Sequence, residues 1–438
     1  MNKFHFECLT CGNKIESFQQ WFANDQKCPK CRQSKINTVY STNKEKLKTL
    51  LNQKEGVHSM WHYFDFLPLN DTQNIVSDGE GVDPIERWSF LEEYAKNRYG
   101  LKIEVYVKRS DYSPATGTFK DPGGALAASV LKEAGIKNYV VVSTGNTANA
   151  FAQYLAKADI SASVFMPQDA LKENFVSISM LGQKVYVVKG DYAYAKKVAA
   201  DYAKKHNYLI TLGNLDPLRL EAKKTTAFEL IRQLGKMPDV FLQAVSGGTA
   251  PLSVQKAFDD FGQTGLLGKM PRMIFIQGNY CAPQVHAWNK AKANGFPEGW
   301  QNEYPIYENP KTLVPTIATG NPGLYPMLAK LVKQTNGEYF EVKEEMAVDA
   351  GRLIAYEKAV KMGPASAIAF LGFFEALKNN AIKDGQSVFI NSGEGVRRAL
   401  SFVEQTSYTL EEITCADDAK VFDRANYKDF VWKPFLKY

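Results

Sequence analysis

Ser113-Pro114-Ala115-Thr116-Gly117-Thr118-Phe119-Lys120-Asp121 decides the reading of this chain. The run sets one lysine at the end of a turn made of small and hydroxyl-bearing residues. Asp121 can cap a helix, and Pro122 suits a first helical turn. A helix is predicted over residues 123–134, stopped at Gly135. A lysine fixed at a loop-to-helix junction is placed as a Schiff-base lysine would be. The alternative is an ordinary helix start with an exposed lysine.

Working outward, a short strand is predicted at 103–107, ahead of the lysine turn. A β-α rhythm follows it. Strands are predicted at 139–143, 162–166, 184–188 and 208–212, with helices at 148–157, 170–181 and 192–206. Further buried strands are predicted at 240–245, 273–277 and 387–391. Strands and helices alternating at this spacing imply a mostly parallel α/β fold. Residues 42–60 read as a polar connector, and the aromatic-rich 60–69 as a strand or extended arm. Residues 295–326, rich in Pro, Asn and Gly, are a candidate for mobile loops facing a site.

Three more turns carry chemistry. Ser143-Thr144-Gly145-Asn146-Thr147-Ala148-Asn149-Ala150 follows a strand and opens a helix, whose N–H groups favour an anion such as a carboxylate. Ala244-Val245-Ser246-Gly247-Gly248-Thr249-Ala250 does the same with two glycines, which lets amides wrap a phosphate while Thr249 adds a hydroxyl. Asn391-Ser392-Gly393-Glu394-Gly395 follows the last predicted strand.

These runs resemble, in order, the motifs of the threonine synthase and cysteate synthase family. These are β-family (fold type II) pyridoxal-phosphate (PLP) enzymes. The family's lysine motif reads roughly Pro-Thr-Gly-Ser-Phe-Lys-Asp-Arg, and its asparagine turn Ser-Ser-Gly-Asn-Thr-Gly. The resemblance implies an α/β fold of the tryptophan synthase β type, with two domains and the cofactor between them. Lys120 would hold PLP as an aldimine and remove the substrate's Cα proton. Asn146 would meet the ring oxygen, Ser246, Gly247, Gly248 and Thr249 the phosphate, and Ser392 the pyridine nitrogen. Thr144, Gly145 and Thr147, with Thr116, would hold substrate. Pro364-Ala365-Ser366-Ala367 resembles the family's Glu-Pro-Ala-Ser-Ala, with Gly363 in place of Glu. Pro122 replaces the Arg after Lys-Asp, and Glu394 also departs from the pattern.

Residues 61–68, 243–256 and 319–325 look more like cysteate synthase. The implied reaction is β-replacement on O-phospho-L-serine by sulfite, giving L-cysteate and phosphate. Threonine synthase action on O-phospho-L-homoserine, or another replacement on phosphorylated amino acids, is the alternative. A zinc-ribbon regulator on a non-catalytic PLP fold is more remote, because the lysine and glycine cup are intact. Both proposed substrates are anionic, and Lys108 and Arg109, just ahead of the lysine turn, are candidates to receive them. Enzymes of this fold are usually dimers, so a homodimer is expected.

Cys8-Leu9-Thr10-Cys11 and Cys28-Pro29-Lys30-Cys31 are C-x-x-C pairs with zinc-ribbon spacing. Cys8, Cys11, Cys28 and Cys31 are therefore expected to hold structural zinc, and Gly12 to turn the backbone beneath it. Disulfides are the alternative, and a cytosolic setting argues against them. Phe18, Trp21 and Phe22 fill a small core or dock on the next domain, in preference to binding nucleic acid. Cys281 and Cys415 are expected to be packing residues.

The expected domains are a ribbon at 1–41, an inserted domain at 122–215, and a larger domain from 42–121 and 216–438. The 438 residues, 45% hydrophobic and 23% charged, have the composition of a globular protein. A net charge of +6 is scattered without a long run, so composition makes no case for nucleic acid. The charged start has no apolar segment behind it, and residues 364–377 are too short and contain Glu375. A cytoplasmic protein with no membrane partner is expected.

Overall fold

Two mostly parallel sheets and a small antiparallel one at the N-terminus organise residues 3–438, the part of the chain that this computed structural model describes. The larger has six strands in the spatial order Glu338–Val342, Arg272–Gly278, Val240–Ala244, Ser387–Ile390, Glu104–Lys108 and Ile85–Arg87. Its first five are parallel, and Ile85–Arg87 runs antiparallel at one edge. The smaller sheet runs Lys184–Val188, Ser161–Pro167, Asn138–Val142, Leu209–Ile210, all parallel. The chain leaves the larger sheet after Glu104–Lys108, builds the whole of the smaller one, and returns at Val240–Ala244.

Helices cover both faces of the larger sheet, so Val240, Leu242, Ile274, Ile276, Val388 and Ile390 are buried. That burial is why these strands read as unbroken apolar runs. Helix Pro364–Lys378 is buried on nearly every side, which explains its apolar sequence. No helix of the described residues is long and apolar enough to cross a membrane.

At the N-terminus, Phe4–Cys8 pairs antiparallel with Lys14–Ile15 and Ile36–Tyr40. Both cysteine turns close with an amide donated to a cysteine carbonyl: Gly12 to Cys8 and Arg32 to Cys28, each at 2.9 Å. Gly12 has φ +66 and Arg32 φ +59, the left-handed shape such a knuckle requires. The aromatics Phe4, Phe6, Phe18 and Trp21 join one apolar cluster with Leu126, Val130 and Leu155 of the smaller-sheet region. They are a docking surface, as the first of the two readings required. Polar contacts reach the other way: Tyr40 donates to Glu221 at 2.6 Å and Lys256 to the Thr38 carbonyl at 2.9 Å.

The structure corrects three expectations. Residues 60–69 are not a strand, because Met60–Phe66 forms 3₁₀ turns started by Ser59, whose hydroxyl accepts from the Trp61 amide. Within these turns Trp61 donates to Glu80 at 3.1 Å and Tyr63 to Glu229 at 2.7 Å, with both rings buried. The connector at 42–60 contains helix Lys46–Asn52, because Leu47 and Leu51 are one turn apart and both buried. Cys415 is exposed, whereas Cys281 is buried as expected.

Candidate active site

Lys120 stands immediately before helix Asp121–Glu133, and the turn ahead of it is locked from within. Asp121 does not cap the helix. Its carboxylate accepts from the Ala115 and Thr116 amides, each at 3.0 Å, and from the Thr116 hydroxyl. The lysine turn is also sewn to the segment after the last large-sheet strand. Phe119 N–H donates to the Gly393 carbonyl at 3.1 Å, and Gly395 N–H to the Gly117 carbonyl at 2.9 Å. Lys120 is thereby fixed at the junction of the two sheets.

A cavity of about 600 Å³ opens between the sheets, and Lys120 lines it. Burial, and then the charge of Arg219, lowers the Lys120 amine to about 7, with Glu394 pulling the other way. An amine in this state is a nucleophile and base near neutral pH.

Three predicted turns converge on this cavity. Thr144, Gly145, Asn146 and Thr147 line it at the start of helix Asn146–Lys157. Ser246, Gly247, Gly248 and Thr249 line it at the start of helix Thr249–Phe261. Here the lack of side chains is required. Gly248 has φ +78, and a Cβ on it would lie 2.0 Å from Leu328 Cδ1. A Cβ on Gly247 would strike Asn214 Nδ2. Thr249 Oγ1 donates to Asn214 Oδ1 at 3.1 Å, and Ser246 Oγ and Thr319 Oγ1 are 2.6 Å apart. The irregular 295–326 region also delivers Thr316, Thr319 and Asn321 to the wall, as its composition suggested. Asn391 also lines the cavity, where its Oδ1 is buried without a partner. A glycine cup at a helix N-terminus, a buried amine and an orphaned acceptor fit a phosphorylated aldehyde cofactor.

Four expected site residues are placed differently. Lys108 pairs with buried Asp83 at 3.3 Å, and Arg109 is clamped by Asp111 at 2.8 Å and Glu86 at 2.7 Å. Neither lines the cavity, because each buried cation is already neutralised by a nearer carboxylate. Thr116 serves the lysine turn and does not reach the cavity. Ser392 lies one layer behind the wall, donating to Ser366 Oγ at 2.9 Å with Met362 Sδ at 3.2 Å.

The cavity's cations are Arg219 and Lys196 instead. Arg219 reaches Thr147 Oγ1 at 3.4 Å and the Gly213 carbonyl at 2.5 Å. Neither residue sits in a local motif, so neither was legible beforehand. Glu394 lines the wall as well, and its departure from the family pattern is explained beside Gly363. A Cβ at 363 would lie 2.8 Å from Glu394 Cγ and 2.5 Å from the Gly395 carbonyl. The Glu394 side chain occupies the space that a residue larger than glycine would need at 363.

Such a cavity between an inserted and a larger α/β region, with a buried lysine and a glycine cup in its lining, fits an enzyme that works through a lysine-bound aldehyde cofactor. The chain belongs to the pyridoxal-phosphate dependent enzyme family, whose pattern it matches over residues 76–393. It is 31% identical over 341 residues to the threonine synthase of Methanocaldococcus jannaschii, covering 77% of this chain and 80% of that protein. It is 27% identical over 417 residues to the threonine synthase of Methanosarcina acetivorans, covering 94% and 96%. The crystal structure of cysteine synthase from Entamoeba histolytica superposes with a TM-score of 0.57 at 18% identity, over 81% of this chain and 93% of that one. The likeness establishes the fold expected from the lysine turn.

The cup makes a direct prediction. Gly248→Ala is expected to weaken PLP binding at least about tenfold, since a left-handed alanine alone costs roughly 1–2 kcal/mol and Leu328 must also move. Equilibrium titration of cofactor-free enzyme measures this, and unchanged affinity would remove the cup from the cofactor site.

Proposed function

We propose that the chain catalyses β-replacement on O-phospho-L-serine with sulfite, giving L-cysteate and phosphate. The observation that carries the reading is that the Lys120 amine shares the lining of one cavity with two further basic side chains, Arg219 and Lys196. Both substrates are anions, so both need such a wall. Residues 243–256 and 319–325, two of the stretches with the cysteate synthase likeness, contribute Gln243, Ala244, Thr319 and Leu324 to the same cavity. Of the two places where the threonine synthase pattern is broken, Gly363 lies against Glu394 of its wall and Pro122 follows Lys120 by two residues.

Pyridoxal phosphate, when bound, supplies an electron sink that makes the Cα proton acidic and the β-substituent labile. Gly247, Gly248 and Thr249 would hold its phosphate, and Asn146 would meet its ring oxygen. The amides of 144–147 bind the substrate carboxylate at a helix N-terminus. Lys120 Nζ takes the Cα proton and returns it, which an amine at about 7 does with little driving force lost in either direction. Arg219 and Lys196 neutralise the departing phosphate and the entering sulfite. The C–O bond breaks with its electron pair leaving on phosphate, and the sulfur lone pair forms the C–S bond. No oxidant or reductant is consumed.

A second reading, threonine formation from O-phospho-L-homoserine, is favoured by the names of the relatives. Incubating holoenzyme with each phosphorylated amino acid, with and without sulfite, separates the two by product mass. Sulfite-dependent cysteate is expected, with phosphoserine consumed far faster. Threonine with no cysteate at any sulfite concentration would falsify the assignment.

We further infer one structural zinc in the ribbon. The four thiol sulfurs lie within 4.8 Å of one another, with Cys8–Cys31 at 3.5 Å and Cys11–Cys28 at 3.7 Å. A tetrahedron with Zn–S of about 2.3 Å has edges of about 3.8 Å, so the set fits with no position left open for chemistry. A homodimer in the cytoplasm completes the reading, by the family resemblance.

A further inference from the structure

Glu394 is a carboxylate on a wall that has to admit anions, so its contacts call for an explanation. One oxygen, Oε1, accepts from the Ala365 backbone amide at 2.9 Å and from Thr316 Oγ1 at 3.2 Å. The other, Oε2, accepts from the side-chain amide of Asn146. At the opposite end of the same side chain, Asn146 Oδ1 accepts from Arg398 at 3.3 Å. Arg398 is anchored in turn on the Thr116 carbonyl of the lysine turn, at 2.6 Å. Two residues one helical turn apart in sequence, but in an irregular segment, therefore grip both ends of one carboxamide. Asn146 opens a helix of the inserted region, while Glu394 and Arg398 follow the last strand of the larger sheet. The grip crosses the cavity's seam.

We propose that Glu394 and Arg398 are positioning residues that hold the Asn146 carboxamide in a single orientation, with its remaining N–H free for the cofactor's ring oxygen. The inference rests on the cofactor, not on which amino acid is the substrate. A carboxamide has two N–H donors and one acceptor oxygen. Glu394 takes one donor and Arg398 occupies the acceptor, so one N–H is left to point into the cavity. With its amide turned over, Asn146 would present its N–H groups to the Arg398 guanidinium and its oxygen to the Glu394 carboxylate. Both ends would be repelled, so only one orientation is allowed. The geometry also explains Gly363, because any side chain there would displace Glu394 and release Asn146.

Glu394→Gln tests this with almost no change of shape. The substituted side chain has one acceptor oxygen, which the fixed Ala365 amide and Thr316 claim. Its NH2 then faces the NH2 of Asn146, donor against donor. The expected result is a shift of the holoenzyme's visible absorption band and PLP binding weakened roughly ten- to a hundredfold, the scale of a lost hydrogen bond to a charged group. In an Asn146→Ala background, Glu394→Gln should add nothing, because it acts through that residue. A purely structural role predicts otherwise: an unshifted band, or losses that add in the double variant. Either outcome overturns the proposal. Arg398→Leu releases the other end of the carboxamide and provides an independent arm if the first variant folds poorly. It should shift the band as well, and an unshifted band overturns the grip.

Discussion

Lys120→Ala is expected to remove product formation, lowering kcat/KM by at least about 10⁴-fold, since a positioned base alone contributes roughly 10²–10⁴. The same substitution removes the covalent tether proposed for the cofactor, so borohydride should fix PLP on the native chain at Lys120 and nowhere on the variant. Peptide mapping that places the adduct on another lysine overturns the assignment. A second measurement reads the amine without catalysis. In the cofactor-free enzyme burial holds the Lys120 amine at about 7, against 10.5 for a free lysine. Between these values the unfolded chain binds a proton that the folded chain does not. Stability therefore rises with pH through that window and gains nothing from this group below it. The native protein should show that rise in a melting series from pH 7 to 10, and Lys120→Ala should show a shallower one, because buried Lys223 and Lys3 still contribute. An identical slope in both would place the amine in water.

The second large effect is expected at the ribbon. Replacing Cys8 and Cys11 with Ser should reduce bound zinc well below one per chain and lower the melting temperature by several degrees. Metal binding in such a small unit is folding free energy, because four thiolates are not gathered in the unfolded segment. Here the loss spreads beyond the ribbon. Trp21, Phe6 and Phe18 would leave the cluster they share with Leu126 and Leu155. Buried Glu221 would lose Tyr40, and Lys256 the Thr38 carbonyl. A lost hydrogen bond to a buried charged group costs about 1.5–3 kcal/mol. None of these residues lines the cavity, so the cofactor's visible band should persist in the molecules that stay folded. Full zinc content in the double variant, or none in native protein purified without chelator, would show that the cysteines are not a metal site.

The lysine turn, the asparagine turn and the glycine cup were each legible because each is a short run whose backbone shape is written in its own residues. Gly248 at φ +78 is one example, and the hydroxyl-rich turn closed by Asp121 is another. The four cysteines were legible for the same reason, since two knuckles require two C-x-x-C spacings. Helix Lys46–Asn52 and the turns at Met60–Phe66 were not, because their propensities are weak. Burial of Leu47, Leu51, Tyr63 and Phe66 under the larger region decides their shape.

The sequence by itself determined the fold class, the lysine turn and the two strand-to-helix turns that line the cavity. These are local features, and each needs only its own neighbours along the chain. Tertiary structure alone decided which charges face the cavity. Lys108 and Arg109 stand close to Lys120 in sequence, yet Asp83, Glu86 and Asp111 take them, while Arg219 arrives from a helix 99 residues further on. It also decided that Glu394 meets Asn146 across 248 positions. A buried charge settles on whichever counter-charge or dipole the fold brings within reach, and that distance is set by packing between elements, not by spacing along the chain.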